Sequence, residues 1–309
     1  MAKKRFAKVR LGTFIEIVFL MCFIALLCPG DQLTGVASHR RLDNSSARTK
    51  LPQTFLWAWE RPEDLRFLKT ENIGVAFLAE TIEIRPQRLK KSSVGVTLNP
   101  RRQPLRVREN VPLMAVVRIE TSHDLWHQPH KASAGAASPP ARLYMSTQRD
   151  AVVNMITGAA KLPHVQALQI DFDASESEHA FYSAVLEDVR QRLPPEMPLS
   201  ITALASWCIG DPWLNALPPG TIDEAVPMLF RMGPDAARVD AYVKSGDQFV
   251  PLACRGSLGL STDESFSKDL LDGTIRLSSG REAMKRLYIF SNRAWTEAEV
   301  RAITKGVER

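Results

Sequence analysis

Short apolar segments recur along the chain, and most of them alternate with segments that have a helical pattern. Such alternation of strands and helices predicts a parallel sheet. Eight such units in about 250 residues predict a single closed (β/α)8 TIM-type barrel; an open doubly wound sheet is the alternative. The eight predicted strands cover residues 55–60, 73–78, 113–119, 165–173, 199–203, 224–230, 257–260 and 287–290.

Two segments near the first strands qualify this pattern. Pro62 near a first helical turn predicts a short helix over residues 62–69. Residues 81–110, between the second and third strands, contain two alternating stretches around a basic segment, which predicts a hairpin excursion. Residues 85–109 carry eight Lys and Arg side chains against one Glu. We interpret this segment as a solvated hairpin; a lid over an anionic substrate or lipid head groups is the alternative.

The N-terminus has the pattern of a secretory signal. Five basic residues within positions 3–10 precede an unbroken apolar run of 12 residues at 17–28, whereas a membrane span needs about 20. We expect residues 1–38 to be a cleaved signal peptide or, alternatively, an anchor that enters the cytoplasmic membrane through residues 12–29. Residues 39–53 are then a linker and 54–309 the barrel domain. Basic residues on the N-terminal side predict an exported body, either periplasmic or anchored to the inner membrane.

The positive charge of the chain gives little support to a nucleic-acid partner. The net charge is +6, and residues 1–50 account for all of it, with nine Lys and Arg against three Asp and Glu. The remaining residues are balanced, so no basic surface is predicted for the barrel. In addition, no G-x-G-x-x-G motif follows any predicted strand, and no nucleotide cofactor is expected.

Cysteine and histidine spacing do not predict a metal site. The body of the chain has two cysteines, Cys208 and Cys254, which we expect to pair in an oxidising compartment; two free buried thiols are the alternative. His123, His127 and His130 have helical spacing, but Pro129 interrupts a helix there and no carboxylate motif accompanies them. We interpret this segment as an active-site loop without a metal.

The segment 165–175, VQALQIDFDAS, predicts the functional site. Asp171 and Asp173 lie two apart at the end of the fourth predicted strand, so they would share one face. Paired carboxylates are costly unless water, a sugar, a cation or a basic partner meets them. Strand ends of a barrel converge on one rim. At this rim we predict the substrate-binding residues Trp57, Glu60, Arg118, Trp207, Arg231, Asp263 and Trp295.

Aromatic side chains beside carboxylates suit a carbohydrate, because a pyranose presents an apolar face to a ring and hydroxyls to acids. Cleavage of a glycosidic bond needs two carboxyl groups. We therefore predict Asp171 and Asp173 as catalytic residues, with Glu120 or Glu264 as the general acid.

Six sequence blocks carry a resemblance to a known family. They lie within residues 52–295 and resemble the bacterial family of domains of unknown function 3142. The blocks are FLWAWERPEDLRFL, VVRIE, LQIDFDASESEHAFY, LSITALASWCIGDPW, EAVPMLFRMG and RGSLGLSTDE. This resemblance implies a barrel-type domain in exported or membrane-anchored proteins. A more remote similarity is to family 18 chitinases, whose fourth strand ends in Asp-x-Asp-x-Glu with the glutamate as general acid. Asp171 and Asp173 match the aspartates, but Ser175 takes the place of the glutamate.

These observations predict an exported, glycoside-hydrolase-like barrel that acts on an envelope or extracellular polysaccharide. A non-catalytic envelope barrel that binds a glycan or a protein is the alternative, and the Ser175 position favours it. A membrane-tethered structural domain without a ligand is the third possibility, and it predicts no deep pocket near Asp171.

Overall fold

The computed structural model describes residues 51–69, 72–85, 95–121, 146–271 and 285–307. Its strands are β1 (Thr54–Ala58), β2 (Glu63–Asp64), β3 (Ile73–Ile84), β4 (Val96–Pro100), β5 (Leu105–Arg106), β6 (Leu113–Thr121), β7 (Val165–Asp171), β8 (Leu199–Leu204), β9 (Glu224–Met228), β10 (Ser257–Ser261) and β11 (Arg286–Phe290). Its α-helices are α1 (Ser146–Ala159), α2 (His179–Arg192), α3 (Ala205–Ile209), α4 (Trp213–Ala216), α5 (Ala236–Ser245), α6 (Ser265–Leu271) and α7 (Glu297–Val307).

Eight of the strands form a closed parallel barrel. The strands follow the order β1, β11, β10, β9, β8, β7, β6, β3, and β1 also pairs with β3. Both pairings of β1 are parallel, so the sheet closes on itself. The prediction of a single (β/α)8 barrel is confirmed, and the open doubly wound sheet is excluded.

Side chains alternate along each barrel strand between two apolar regions. The inward positions form a small interior cluster that includes Phe55, Met114, Ala167 and Val226. The outward positions pack against the helices and form the larger part of the core.

The segment between β1 and β3 differs from its prediction. Residues 62–69 do not form a helix; instead, β2 pairs in parallel with β5. The cause is the Glu63 carboxylate, which is buried and accepts hydrogen bonds from Arg61 Nε at 2.7 Å and from the backbone N–H of Trp295 at 3.0 Å. These contacts hold the segment extended.

Part of the basic segment supports the end of β1. Strand β4 pairs antiparallel with the second half of β3, and Arg101 follows it. The Arg101 guanidinium donates hydrogen bonds to the carbonyl oxygens of Ala58, Trp59 and Arg61. Arg101 therefore fixes the chain where β1 enters the rim, while the tip of the predicted hairpin lies outside the described residues.

The predicted signal or anchor segment and the histidine-containing loop also lie outside the described residues. Within the part of the chain that the structure describes, no helix is long and apolar enough to cross a membrane. Cys208 and Cys254 form a disulfide that joins α3 to the 3₁₀-helix Leu252–Cys254.

Candidate functional site

A cavity of about 240 Å³ opens at the carboxyl ends of the barrel strands. Its walls combine aromatic and charged side chains. The aromatic ones are Trp57, Trp59, Phe230 and Phe290. The charged ones are Arg118, Asp171, Asp173, Arg231 and Asp235.

Asp171 is the last residue of β7 and its carboxyl group is largely buried, with 13% of the side chain exposed. It accepts a hydrogen bond from Thr202 Oγ1 at 2.7 Å, and its other oxygen lies 3.8 Å from Arg118 Nε. Burial raises the pKa of Asp171 to about 6, and the negative charge of Asp173 adds to this, against the opposing effects of Thr202 and Arg118. The pKa of Asp171 thus lies above that of an ordinary aspartate.

Asp173 lies two residues beyond the end of β7, at the mouth of the cavity. The residue is exposed to solvent. Even so, desolvation by the surrounding walls raises the pKa of its carboxyl group, against the charge of Arg118. The two aspartates therefore share one cavity at different depths.

Arg118 links the aspartate pair to the rim. Its Nη1 lies 3.1 Å from Glu120 Oε1, and its guanidinium carbon lies 6.0 Å from the centre of the Trp59 ring. Together with its approach to Asp171, these contacts place one cation between two acids and an aromatic wall. Glu120 is paired at the rim and does not line the cavity.

The aromatic walls form a connected group. Phe230 and Phe290 stack with ring centres 5.6 Å apart and planes at 6°. Trp57 meets Phe230 edge-on at 6.0 Å, and Trp59 meets Phe290 edge-on at 6.3 Å. Flat apolar surfaces of this kind, beside carboxyl groups, suit the face of a sugar ring.

Trp57 is held by the layer beneath it. Its Nε1 donates to Gln169 Oε1 at 2.8 Å, and Gln169 Nε2 donates to Ser200 Oγ at 3.1 Å. The Trp57 ring lies against Gly259, where an added Cβ would come within 2.9 Å of it. Only a residue without a side chain fits there, so Trp57 has one well-defined orientation.

Below this layer a polar cluster fills the floor of the barrel. The Glu224 carboxylate accepts hydrogen bonds from Arg286 Nη1 and Tyr288 Oη, each at 2.6 Å, and from Ser257 Oγ. Strand register places Glu224 level with Ser200 and Ser257 level with Arg286. We call Glu224, Ser257, Arg286 and Tyr288 the floor cluster.

The structure brings together five of the predicted site residues. These are Trp57, Arg118, Asp171, Asp173 and Arg231. The other six predicted residues do not line the cavity: Glu60, Glu120, Trp207, Asp263, Glu264 and Trp295.

Both excluded tryptophans are buried outside the barrel interior, and their predicted stacking on a sugar is wrong. Trp207 is 4% exposed and packs edge-on against Trp213 at 5.0 Å, because α3 begins at Ala205 and turns the side chain into the helix layer. Trp295 is also 4% exposed, and its Nε1 donates to the Trp57 carbonyl oxygen at 2.9 Å. Trp295 thus supports the end of β1.

The excluded acids have different surroundings. Glu60 and Asp263 are exposed, and Asp263 accepts a hydrogen bond from Ser261 Oγ. Glu264 Oε1 accepts the backbone N–H of Arg231 at 2.8 Å. The predicted role of Glu264 as general acid is not supported by a position in the cavity.

Sequence reasoning did not select Phe230, Phe290, Thr202 or Asp235 for the site. Phe290 lies on the inward face with Tyr288, two residues earlier on β11. Thr202 likewise lies on the same face as Ser200, two residues earlier on β8. The alternation of strand side chains could have found both, since it assigns every second residue to the interior.

A glutamate near Asp173 is used for local structure. Glu178 is 1% exposed, and its Oε2 accepts hydrogen bonds from the backbone N–H of Ser175 at 2.9 Å and from Ser175 Oγ at 2.7 Å. This capping arrangement fixes the start of the 3₁₀-helix Glu176–Glu178. Ser175 and Glu178 are therefore engaged with each other, and neither lines the cavity.

The described residues include no group of three or more His, Cys, Asp or Glu side chains that could hold a metal ion. His123, His127 and His130 lie outside the described residues. The described lining of the cavity consists mainly of carboxyl groups, arginines and apolar side chains, including aromatic rings.

Fold and cavity together define a (β/α)8 barrel with a cavity at the carboxyl ends of its strands. The family model described as Domain of unknown function (DUF3142) matches residues 142–230. The resemblance to this family is confirmed over that span, which contains β7, β8, β9 and the aspartate pair.

Among solved structures, a family GH18 chitinase from Chromobacterium violaceum aligns with a TM-score of 0.48 and 9% sequence identity, over 84% of this chain and 84% of the chitinase chain. No curated protein matches the sequence.

Proposed function

We propose that the cavity binds a saccharide and that Asp171 and Asp173 hydrolyse a glycosidic bond in it. The observation that carries this proposal is the aspartate pair between aromatic walls, with the pKa of Asp171 raised to about 6. An acid whose pKa lies near the working pH can both hold and release a proton.

The two carboxyl groups have separate roles in this proposal. Protonated Asp171 donates its proton to the glycosidic oxygen as the bond to the anomeric carbon breaks. Ionised Asp173 stabilises the positive charge that develops on the sugar and takes a proton from the water that adds to the anomeric carbon. We assign the acid role to Asp171 because Glu120 and Glu264, the two candidates from the sequence, lie outside the cavity lining.

We further propose that the protein works outside the cytoplasm on an envelope or extracellular polysaccharide. The disulfide between Cys208 and Cys254 supports this, because structural disulfides persist mainly in oxidising compartments. The basic and apolar N-terminal pattern supports it as well. In this proposal the protein is periplasmic or held at the inner membrane by its N-terminus.

The test is the release of reducing ends from a panel of envelope and extracellular polysaccharides by the purified chain. Asp171→Asn and Asp173→Asn should each lower the rate by about 100-fold or more, the usual contribution of a general acid or base. Asp247→Asn, an exposed acid on the loop after α5, is the matched control and should retain the rate. A rate that both site variants retain would overturn the proposal.

The capping contact of Glu178 favours a second candidate, a barrel that binds a glycan without cleaving it. This contact commits the buried Glu178 to Ser175. Among the described residues, the acids that line the cavity are all aspartates. In this case, polysaccharide binding persists in Asp171→Asn and Asp173→Asn, and the unchanged chain releases no reducing ends. Isothermal titration beside the reducing-end assay separates the two candidates.

A further inference from the structure

The two arginines of the cavity have different partners. Arg118 lies beside Glu120 and Asp171. The Arg231 guanidinium has no ion pair and no hydrogen bond with any residue that the structure describes. Its contact is with the Phe290 ring, whose centre lies 5.0 Å from the guanidinium carbon. Arg231 is an exposed residue that lines the cavity, and it has no ion-pair partner among the described residues.

The backbone of Arg231 is held in an unusual conformation. Its φ is +54°, in the left-handed region that side chains other than glycine rarely adopt. The hydrogen bond from its N–H to Glu264 Oε1, at 2.8 Å, holds this conformation from the turn that follows β10. Strained backbone that the surroundings enforce is concentrated at functional sites, and here it directs a cation over Phe290.

The other charges of the cavity define where an anion can lie. Asp171 and Asp173 line the same cavity from the end of β7, which is separated from β9 by β8 alone, and their negative charge repels an anionic group from that side. Asp235, on the Arg231 side, lies 3.3 Å from Arg238 and is partly neutralised by it. An anionic ligand group is therefore attracted to Arg231 and kept away from the aspartate pair.

We propose that the saccharide bound in this cavity carries a carboxylate and that Arg231 binds it. This inference rests on the proposed function and narrows its substrate class to carboxylate-bearing pyranoses. The sugar ring contacts the aromatic walls, and the carboxylate accepts hydrogen bonds from the planar guanidinium, which matches two carboxylate oxygens. Both a uronic acid and the lactyl ether of a muramic acid offer this chemistry.

The experiment measures binding of matched saccharide pairs by isothermal titration to the full chain. One arm uses oligomers of galacturonate, glucuronate, mannuronate and guluronate, each beside its carboxyl-reduced neutral form. The other arm uses the N-acetylglucosamine–N-acetylmuramic acid disaccharide beside diacetylchitobiose. The acidic member of at least one pair should bind about 10-fold or more tightly than its neutral partner, as expected of a charge-assisted hydrogen bond.

Three variants test whether Arg231 causes the preference. Arg231→Gln and Arg231→Gly should reduce it to about 2-fold or less, and Arg231→Lys should retain part of it. Arg231→Gly also tests folding, because glycine accepts a positive φ and should leave the thermal midpoint unchanged or higher. Arg301→Gln, which removes an exposed cation on α7, is the charge control and should keep the full preference.

The outcomes separate the inference from the proposed function. Neutral partners that bind as tightly as the acidic ones would overturn the inference and leave saccharide binding standing. A preference that survives in Arg231→Gln would also overturn it. Absence of binding by every member of both arms would count against the inference and the proposed function together.

Discussion

At the floor of the barrel, Glu224 accepts hydrogen bonds from Arg286, Tyr288 and Ser257, whereas at the mouth Asp171 accepts one from Thr202 and has Arg118 at 3.8 Å. Both carboxyl groups lie inside the same sheet and are largely buried. They differ in how many hydrogen bonds and ion pairs compensate the negative charge of the carboxylate.

This difference indicates separate roles for the two ends. A buried ion pair with additional hydrogen bonds is expensive to break from one side only, so the floor cluster is expected to contribute to stability. At the mouth the pKa of Asp171 is raised to about 6, which means that the folded chain opposes ionisation of this group. A buried carboxyl group whose charge is only partly compensated, and whose pKa is therefore raised, is typical of functional sites.

The largest expected effect is at the floor. Glu224→Gln removes the negative charge and leaves Arg286 buried with no opposing charge. The free energy of unfolding should fall by about 3–5 kcal/mol, measured by urea denaturation. The double variant Glu224→Gln with Arg286→Met should regain much of this loss, since it buries no unmatched charge. A loss below about 1 kcal/mol in Glu224→Gln would contradict a structural role for the floor cluster.

The same type of substitution at the mouth should act in the opposite direction. The folded pKa of Asp171, about 6, lies above its ordinary value of 3.8, so the folded state binds this proton more tightly than the unfolded state. The resulting stabilisation is complete below pH 3.8 and is lost as the pH rises through about 6. At pH 7 Asp171→Asn should therefore be more stable than the unchanged chain by up to about 3 kcal/mol.

Urea denaturation between pH 7.5 and 4.5 checks this prediction, since the advantage of Asp171→Asn should shrink steadily as the pH falls. The prediction is contradicted if the difference in the free energy of unfolding between Asp171→Asn and the unchanged chain is the same at every pH, or if the variant is less stable at pH 7. Either result would mean that the folded chain does not oppose ionisation of Asp171.

Substitution of Gln169, which lies between the floor and the mouth, should give an intermediate loss in the free energy of unfolding. Gln169→Leu leaves Trp57 Nε1 and Ser200 Oγ without the partners they have in the structure. The free energy of unfolding should fall by about 2 kcal/mol, the usual cost of buried polar groups without hydrogen bonds. Gln166→Leu, an exposed position on the same strand, is the matched control. Equal losses in the two variants would mean that the loss does not come from these hydrogen bonds.

The smallest expected effect is at Thr202. Thr202→Val removes the hydrogen bond that favours the ionised form of Asp171, so the pKa of Asp171 should rise above its unchanged value by less than about one pH unit. The shift is read as a higher midpoint in the dependence of stability on pH. Thr304→Val on α7 should leave that midpoint unchanged. A lower midpoint in Thr202→Val would contradict the proposed direction.

The sequence was most informative where a pattern repeats. Alternating strand and helix segments predicted the eight-stranded barrel, and the spacing of Asp171 and Asp173 predicted their common cavity. In contrast, the extended segment at 62–69 depends on a contact between Glu63 and the backbone of Trp295, 232 residues away. No local pattern contains such information.

Two other differences have local explanations. A strand end does not reveal which way the next side chain turns, and the helix that starts at Ala205 directs Trp207 away from the rim. The use of Glu178 could have been predicted, because Ser175-x-x-Glu178 is a capping-box sequence. The same pair then explains why Glu178, a buried glutamate that follows the aspartates, is engaged with Ser175.

The floor cluster determines whether a ligand can pass through the barrel interior. Together with Gln169 and Trp57, it fills the interior beneath the cavity, so the described barrel offers no passage to the amino-terminal ends of its strands. Under the proposed function, the substrate enters and the product leaves through the same cavity mouth. A long polymer cannot pass through the barrel. Each cleaved fragment has to leave through the mouth before the next segment of the polysaccharide can bind in the cavity.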